Sequence, residues 1–399
     1  MKILIATAVA AIIAVTAKAQ ELHVGDNVPN IQVRHIINGA GNVLVNALKG
    51  KVIILDFWAT WCSPCVAALA RFESLQKKFG DKLVVLAVSD ELPERLKQFI
   101  TNRPTTLLIS SDTGNSFQAL FPHRTIPHTI LIGIDGKVNA ITDAENITPE
   151  IIQLALQNVA VNLPLKKDNI NFSVEEYFKT DTTVVQAFNM LPPVQGAGCM
   201  SKTYLEGFFK NRRMTIVNMP MDGLYRMAYN KTYYLLVNEY DTVKRKNADE
   251  QKYCVDLWTP DADKNKLLQY FQQQLKSQFV DVDAVLEKRK MKVLVLKATD
   301  SAKYKLKPSP LVNDLYSAGG SHFEGNGVTV ASLADYMEGF GLYAGKVIDE
   351  TGLTGRYNIF FEWQPERKVS LKEAFAKLGL YWESAEREVE VLVLKKVKE

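Results

Sequence analysis

The chain has 399 residues, of which 47% are hydrophobic and 23% charged, and its formal net charge is only +4. These shares are typical of a globular protein and exclude a disordered or fibrous chain. The length suits two domains, and a small net charge without a dense block of Lys or Arg argues against nucleic acid as a partner.

The first residues have the three parts of a secretory signal peptide. Met1-Lys2 is followed by an apolar run over residues 3–16, and small residues precede a predicted cleavage after Ala19. The run is short for a membrane span, which makes a retained anchor the weaker alternative. We therefore expect residues 1–19 to be a signal peptide and the mature protein to be soluble and periplasmic.

Residues 20–163 show strands that alternate with helices. Apolar runs and helical spacing predict, in chain order, a strand over 51–58, a helix over 65–79, a strand over 83–88, a helix over 92–100, a hairpin over 128–141 and a helix over 148–161. Gly80 is the expected C-cap of the first helix, and Thr148 is the expected N-cap of the last. This order predicts an α/β sheet covered by helices.

Two of the four cysteines form a Cys-x-x-Cys motif where the first strand runs into the first helix. Cys62 lies at the predicted helix N-terminus, where unpaired N–H groups favour a thiolate, so it is the expected nucleophile. Cys65 is one turn further in and is the expected resolving thiol. Pro64 fits the first turn because it has no N–H. An inert structural disulfide is the alternative.

The remaining cysteines, Cys199 and Cys254, stand alone in the sequence. A single Cys-x-x-Cys pair supplies half of the ligands of a structural zinc site, and His123 and His128 would have to complete it. We therefore predict no metal and no cofactor. An oxidising compartment permits a disulfide between Cys199 and Cys254, and two unpaired thiols are the alternative.

The segment DFWATWCSPC, which ends at Cys65, resembles the active-site segment of the thioredoxin superfamily. The segment IPHTILIGIDGK, which begins at Ile126, resembles the TlpA/ResA-like exported branch. The resemblance covers about residues 24–160 and implies a thioredoxin-like fold. It also implies that Pro127 is a cis-proline beside the active-site disulfide, that Ile126 presents its backbone to an extended substrate, and that Trp61 shields the disulfide.

The same resemblance implies that Asp56 is the buried carboxylate beneath the active-site pair. Desolvation inside an apolar strand would raise the pKa of this carboxyl group, which makes Asp56 a candidate proton acceptor for Cys65. Some relatives in this branch carry a Glu just after the second cysteine. Val66, Ala67 and Ala68 stand there in this chain, so no role of that Glu is transferred.

The second part of the chain contains an internal repeat. Residues 164–182 are polar, lack a clear period and are predicted as a linker, and residues 183–399 carry the sequence VLVLK twice, at 293–297 and at 391–395. Each half is predicted as strand, helix, strand, helix, strand. Two such halves lying side by side predict an α+β domain.

This second domain resembles an uncharacterised exported bacterial domain in the segment 349–360 and in the closing VLVLK strand. We find no nucleophile with a base, no phosphate loop and no metal-ligand spacing in its sequence. An interaction or sensing role is the hypothesis for it.

Together, these features predict an exported thiol-disulfide oxidoreductase that reduces exported proteins with cysteines or disulfides. A membrane or periplasmic redox donor upstream would regenerate its dithiol. The direction of exchange depends on the reduction potential, which spans about 150 mV among proteins with this motif. Two alternatives stay open: a peroxiredoxin-like thiol peroxidase, and an envelope binding or sensing module with an accessory thioredoxin domain.

Overall fold

The structure is a computed structural model that describes residues 21–39, 43–240, 251–312, 314–319, 321–339, 342–367 and 369–397. The predicted signal peptide, residues 1–19, lies outside the described residues. Among the described residues, no helix is long and apolar enough to cross a membrane.

The N-terminal domain is built around one mixed sheet. Its elements, in chain order, are β1 (Gln32–Val33), β2 (Val43–Leu44), β3 (Val52–Phe57), α1 (Ser63–Phe79), β4 (Leu83–Ser89), α2 (Pro93–Asn102), β5 (Leu108–Ser111), α3 (Ser116–Leu120), β6 (His128–Ile132), β7 (Val138–Thr142) and α4 (Pro149–Leu156). The five strands of the sheet lie in the order β5-β4-β3-β6-β7. Strands β5, β4 and β3 are parallel, and β6 and β7 are antiparallel additions. This is the predicted thioredoxin-like α/β arrangement.

Strand β3 lies at the centre of this sheet, and each of its six residues is buried. Side chains alternate between the two faces of a strand. Ile54 and Trp58 therefore face the core that α1 covers, whereas Leu55 and Phe57 face the opposite core. Asp56 falls on the α1 side, the side that also receives Cys65.

Two details of the N-terminal domain differ from the sequence prediction. The last helix ends at Leu156 instead of continuing to 161, because Asn158 takes a left-handed backbone conformation with φ 56°, and the residues that follow have no regular secondary structure. Strands β1, β2 and β5 and helix α3 were not predicted, since each is too short to show a clear periodicity. The predicted caps Gly80 and Thr148 are confirmed.

The second domain is rich in sheet. Its elements, in chain order, are α5 (Val174–Tyr177), β8 (Ala187–Leu191), β9 (Met200–Thr203), β10 (Arg213–Pro220), α6 (Met221–Ala228), β11 (Leu236–Asn238), β12 (Lys252–Trp258), α7 (Leu267–Gln278), β13 (Val282–Ala298), α8 (Ala302–Lys305), β14 (Lys307–Pro308), β15 (Leu315–Gly319), β16 (His322–Val328), α9 (Val330–Gly339), β17 (Val347–Asp349), β18 (Tyr357–Glu362), α10 (Ser370–Lys377) and β19 (Leu380–Lys396). They form three four-stranded sheets.

The internal repeat is visible in the topology of these sheets. One sheet has the order β8-β12-β10-β9, and its counterpart has the order β14-β18-β16-β15. The third sheet, β11-β19-β13-β17, takes two strands from each half. The long strands β13 and β19 pair antiparallel over their whole length, from Val282 opposite Lys396 to Ala298 opposite Leu380. The two halves are therefore similar, as predicted, with more strands in each than the sequence indicated.

The two halves exchange the ends of their long strands, which the sequence did not indicate. Leu294 and Leu296 end the long strand of the first half but belong to the hydrophobic core of the second half. Leu392 and Leu394 end the long strand of the second half and belong to the core of the first. Residues 293–296 and 391–394 are all buried, and the leucines of each segment lie in the core of the opposite half.

The stretch 164–182, predicted as a linker, is attached to both domains. The Thr142 hydroxyl donates to the Pro164 carbonyl oxygen, and the Lys166 N–H donates to the Ile141 carbonyl oxygen. On the other side, the Asn169 N–H donates to the Gly196 carbonyl oxygen. These contacts connect the chain after α4 to the sheet of the first domain and to a loop of the second.

A second connection between the domains is an ion pair. The guanidinium group of Arg95, on α2, donates to both carboxylate oxygens of Glu366 at 2.7 and 2.5 Å. The Glu366 side chain is fully buried and that of Arg95 is 15% exposed. A bidentate pair of this kind fixes orientation as well as distance, so it restrains α2 against the loop after β18.

The exchange of strand ends predicts a stability effect across the two halves. Leu294→Ala removes a side chain that is 3% exposed and lies in the core of the second half, and we expect a loss of about 2–5 kcal/mol in the free energy of unfolding. Leu286→Ala, on the same strand but 47% exposed, is the control and should cost less than about 1 kcal/mol. Chemical denaturation of both variants measures the difference. Equal losses would contradict the assignment of Leu294 to the core of the second half.

Candidate active site

Cys62 and Cys65 lie at the start of α1 and are joined by a disulfide. Cys62 is the N-cap residue of the helix, and the Cys65 N–H donates to its Sγ at 3.3 Å. An N–H of the first turn therefore points at the sulfur on which a thiolate charge would develop. Cys62 retains 5% exposure and Cys65 has none, so an external disulfide can reach only Cys62.

A loop of four residues, Arg124 to Pro127, lies against the disulfide and is called loop 124–127 below. The peptide bond between Ile126 and Pro127 is cis. The Ile126 carbonyl oxygen lies 3.9 Å from Cys62 Sγ. The structure thus brings together the two segments on which the resemblance to thioredoxin-like proteins depended, although they are more than 60 positions apart.

The remaining side chains predicted around the disulfide lie where a substrate could contact them. Trp61 is 49% exposed, and Pro64 is exposed in the first turn of α1. Trp61 and Ile126 also line a cavity of about 180 Å³ beside the disulfide. Both residues are therefore available to a bound polypeptide.

Asp56 is fully buried on β3, as predicted. Its Oδ1 accepts a hydrogen bond of 2.6 Å from the hydroxyl of Thr129, which lies opposite it on β6. Its Oδ2 has no hydrogen-bond partner among the described residues. Burial raises the pKa of the Asp56 carboxyl to about 7, against the lowering effects of Thr129, Lys166 and Arg71. This carboxyl can take up or release a proton near neutral pH.

His123 and His128 stack on each other with ring centroids 4.8 Å apart. His123 also packs against Phe57, on the face of the sheet opposite Asp56. Burial lowers the pKa of His128 to about 3. Among the described residues there is no group of three or more His, Cys, Asp and Glu side chains that could hold a metal ion.

Glu91 was not singled out from the sequence, yet it holds the loop that leads into α1. Its carboxylate accepts hydrogen bonds from the Thr60 N–H at 2.7 Å and from the Thr60 hydroxyl at 2.8 Å. Thr60 stands two positions before Cys62. By accepting these two hydrogen bonds, the Glu91 carboxylate fixes the loop between β3 and α1. The sequence around Glu91 contains no local pattern that predicts this contact.

Two further residues missed by the sequence reasoning, Lys166 and Asp168, lie in the stretch predicted as a linker. Both contact loop 124–127 through charged side chains. Their only signal in the sequence is the presence of charged residues in a polar stretch, which is also the ordinary composition of a linker.

Cys199 and Cys254 are unpaired thiols, so the alternative without a second disulfide holds. Cys199 is exposed and its sulfur lies 3.7 Å from the Met219 sulfur. Cys254 has no exposed surface and packs in a small core with Phe178 and Val217. Neither lies in the site around Cys62.

Comparison with known proteins finds matches for both domains. Residues 24–141 match the AhpC/TSA family, and residues 226–397 match a family described as a protein of unknown function, DUF3738. Thiol-disulfide oxidoreductase ResA of Oceanobacillus iheyensis is 31% identical over 144 residues, which are 35% of this chain and 75% of that protein. ResA of Bacillus cereus is 28% identical over 124 residues, 31% of this chain and 70% of that protein.

Among solved structures, a thiol:disulfide interchange protein of the thioredoxin family from Chlorobium tepidum has a TM-score of 0.29 and 22% identity. The match covers 35% of this chain and 99% of that one.

A Cys-x-x-Cys disulfide at a helix N-terminus of a thioredoxin-like sheet defines a thiol-disulfide oxidoreductase. Through this domain the chain belongs to the ResA-like thiol-disulfide oxidoreductases. The enzyme class and the thioredoxin-like fold predicted from the sequence are thereby confirmed. The second domain matches a family to which no activity is attached.

The buried Asp56 carboxyl predicts a pH-dependent stability. Its pKa rises on folding from 3.8 to about 7, so the folded state holds the proton more tightly than the unfolded chain. The resulting stability is fully present below 3.8 and is lost as the pH rises through about 7. Each pKa unit is worth about 1.4 kcal/mol, so the loss reaches about 4 kcal/mol.

Asp56→Asn keeps the shape and removes the buried charge. We expect this variant to be more stable than the parent by up to about 4 kcal/mol at pH 8 and to gain nothing at pH 4. Denaturation of the oxidised protein across this pH range measures the gain, with Asp81→Asn, at an exposed site, as the control. A gain that does not change with pH would contradict the raised pKa.

Proposed function

We propose that the protein is exported and uses Cys62 and Cys65 to reduce disulfides in envelope proteins. The observation that carries this proposal is the position of Cys62 at the N-terminus of α1, with its sulfur 3.9 Å from the Ile126 carbonyl oxygen. The helix end stabilises a thiolate at Cys62. The backbone of Ile126 lies beside that thiolate and offers an edge on which an extended substrate segment can pair.

The first step joins the enzyme to its substrate. In the reduced enzyme, the Cys62 thiolate attacks one sulfur of the substrate disulfide. A bond forms between Cys62 Sγ and that sulfur, the substrate disulfide breaks, and the second substrate sulfur leaves as a thiolate that takes up a proton. The product is a mixed disulfide between Cys62 and the substrate.

The second step releases the substrate and needs Cys65 as a thiolate. Cys65 is fully buried and lacks the help of the helix end, so its proton must pass to a base. Asp56 is the proposed acceptor, because its pKa is about 7 and its Oδ2 has no hydrogen-bond partner among the described residues. The Cys65 thiolate then attacks Cys62 Sγ, the Cys62–Cys65 disulfide forms, and the first substrate sulfur leaves. Two electrons have then passed from the enzyme dithiol to the substrate.

The oxidised enzyme must be reduced before the next cycle. A membrane or periplasmic redox donor is the proposed partner for this step, and exported proteins with cysteines or disulfides are the proposed substrates. The apolar segment 3–16, which is bordered by Lys2 and by the small residues before Gln20, supports export. No cofactor takes part in these steps, since thiolates and a carboxyl group carry the whole exchange.

Catalysed reduction of insulin disulfides tests the proposal. The parent should turn over with a thiol reductant present, and Cys62→Ser should abolish turnover because no nucleophile remains. Cys65→Ser should accumulate a mixed disulfide through Cys62, since the resolving thiol is missing. Cys199→Ser, which changes a thiol outside the site, is the control and should keep full activity.

The same measurements distinguish the alternatives. Consumption of hydroperoxide without insulin turnover would favour a thiol peroxidase, and neither activity would favour a binding or sensing module. Either result would reject protein-disulfide reduction.

Replacement of Asp56 tests the proton acceptor separately from the nucleophile. Asp56→Asn should slow the decay of the mixed disulfide at pH 7 by about tenfold or more, within the range typical of a lost general base. The initial attack by Cys62 should change little, because the helix end that stabilises its thiolate is intact. Rapid-quench kinetics separate the two steps, with Asp81→Asn as the control. An unchanged decay rate would show that Asp56 is not the base.

A further inference from the structure

Loop 124–127 is held by two charged side chains that come from outside the thioredoxin-like sheet. The Lys166 ammonium donates to the carbonyl oxygen of Thr125 at 2.7 Å and to that of Pro127 at 2.5 Å. The Asp168 carboxylate accepts from the N–H of Arg124 at 2.7 Å and from the N–H of Thr125 at 2.8 Å. Each of these bonds has a charged partner, which makes it stronger than a bond between neutral groups.

These bonds fix the residues on both sides of Ile126 and leave Ile126 itself available. Within the described residues, the Ile126 N–H donates to no backbone carbonyl. A substrate segment that pairs with Ile126 binds more tightly when this N–H and the neighbouring carbonyl are already at fixed positions. If the loop were mobile, ordering it on binding would cost conformational entropy and lower the affinity. Lys166 and Asp168 provide that fixed frame.

Lys166 is suited to this role because its side chain is half-buried against the loop. Burial lowers its pKa, and the nearby carboxylates Asp168, Asp143 and Asp56 act in the opposite direction. The Lys166 side chain is held by the carbonyl oxygens of Thr125 and Pro127 rather than free in solvent.

The segment that carries these two residues is held by both domains: the Lys166 N–H donates to the Ile141 carbonyl oxygen of the first domain, and the end that follows Asp168 is bonded to the second domain. The Asn169 N–H donates to the Gly196 carbonyl oxygen at 2.7 Å. Gly196 has φ +74°, and a Cβ there would lie 2.4 Å from the Lys167 carbonyl oxygen, so only glycine permits this close approach. The Arg124 side chain also donates to the carbonyl oxygens of Asn169 and Phe172. A continuous chain of contacts thus connects the second domain to the loop beside Cys62.

We propose that Lys166 and Asp168 are positioning residues that hold loop 124–127 for an extended polypeptide substrate, and that the second domain fixes them in place. This proposal rests on the exchange function proposed above. It assigns to the second domain a contribution to the affinity for protein substrates, without giving it any chemistry. Small disulfides have no peptide backbone to pair with Ile126, so their reduction does not depend on the bonds that Lys166 and Asp168 make to loop 124–127.

The test compares a polypeptide substrate with a small one. Lys166→Met keeps the length of the side chain and removes its donors, and Lys167→Met, at the exposed neighbouring lysine, is the matched control. With insulin, Lys166→Met should raise KM by about tenfold and leave kcat within about twofold, the range expected when bonds to a charged group are lost. With hydroxyethyl disulfide, Lys166→Met, Lys167→Met and the parent should react at equal rates. Both substrates are measured well above pH 7, where Asp56 is ionised in every variant, because the Lys166 charge lowers the pKa of Asp56.

Several outcomes would overturn the proposal. If Lys166→Met behaves like Lys167→Met toward insulin, Lys166 does not position the loop. If Lys166→Met loses insulin and hydroxyethyl disulfide reduction equally, it acts on the thiols and not on docking. Should Lys166→Met fail to fold, Asp168→Asn carries the same test, with the same rise in KM for insulin expected. Failure of the parent on both substrates would reject the proposed exchange function instead and is distinguishable from these results.

Discussion

The burial of strand β3 on both faces is the constraint on which the rest of the site depends. A strand with a neighbour on each side and a packed core above and below cannot shift its register without exposing apolar side chains. The end of β3 is therefore fixed in position, and it fixes the position of the loop 58–62 and of the N-terminus of α1 that follow it. The same register places Asp56 on the side that α1 covers, where desolvation raises the pKa of its carboxyl group. A single strand therefore positions both Cys62 and Asp56, the proposed nucleophile and the proposed proton acceptor.

The active-site face is completed from three other directions. Glu91, after β4, holds Thr60 in the loop before Cys62. Loop 124–127 comes from the chain before β6 and lies against Cys62 Sγ. The segment after α4 secures that loop through Lys166 and Asp168. Glu91, Lys166 and Asp168 each place a charged side chain on backbone groups, and they restrain the two loops that flank Cys62.

The second domain shows how a repeated sequence can produce one unit instead of two. Strands β13 and β19 run past each other so that each places its VLVL end in the core of the other half. Neither core is complete without a strand end from the other half, and the halves must therefore fold together. The pair Arg95 and Glu366 and the stretch 164–172 then attach this unit to the thioredoxin-like domain on two sides. The second domain is in this way a structural neighbour of the site.

The sequence by itself determined the features that depend on local patterns. These are the buried strand before the Cys-x-x-Cys motif, the helix with Cys62 at its N-terminus, the burial of Asp56 and the repeat of the second domain. Periodicity and the chemistry of caps are properties of neighbouring residues, and so a linear chain displays them. Only the tertiary structure decided the roles of Glu91, Lys166 and Asp168 and the exchange of strand ends. Asp168 contacts Arg124 across 44 positions of sequence, and no spacing rule relates two residues at such a distance. The sequence of a polar stretch is the same whether the stretch is exposed to solvent or packed against another part of the protein. The residues that it contacts lie elsewhere in the chain, so the stretch alone does not indicate them.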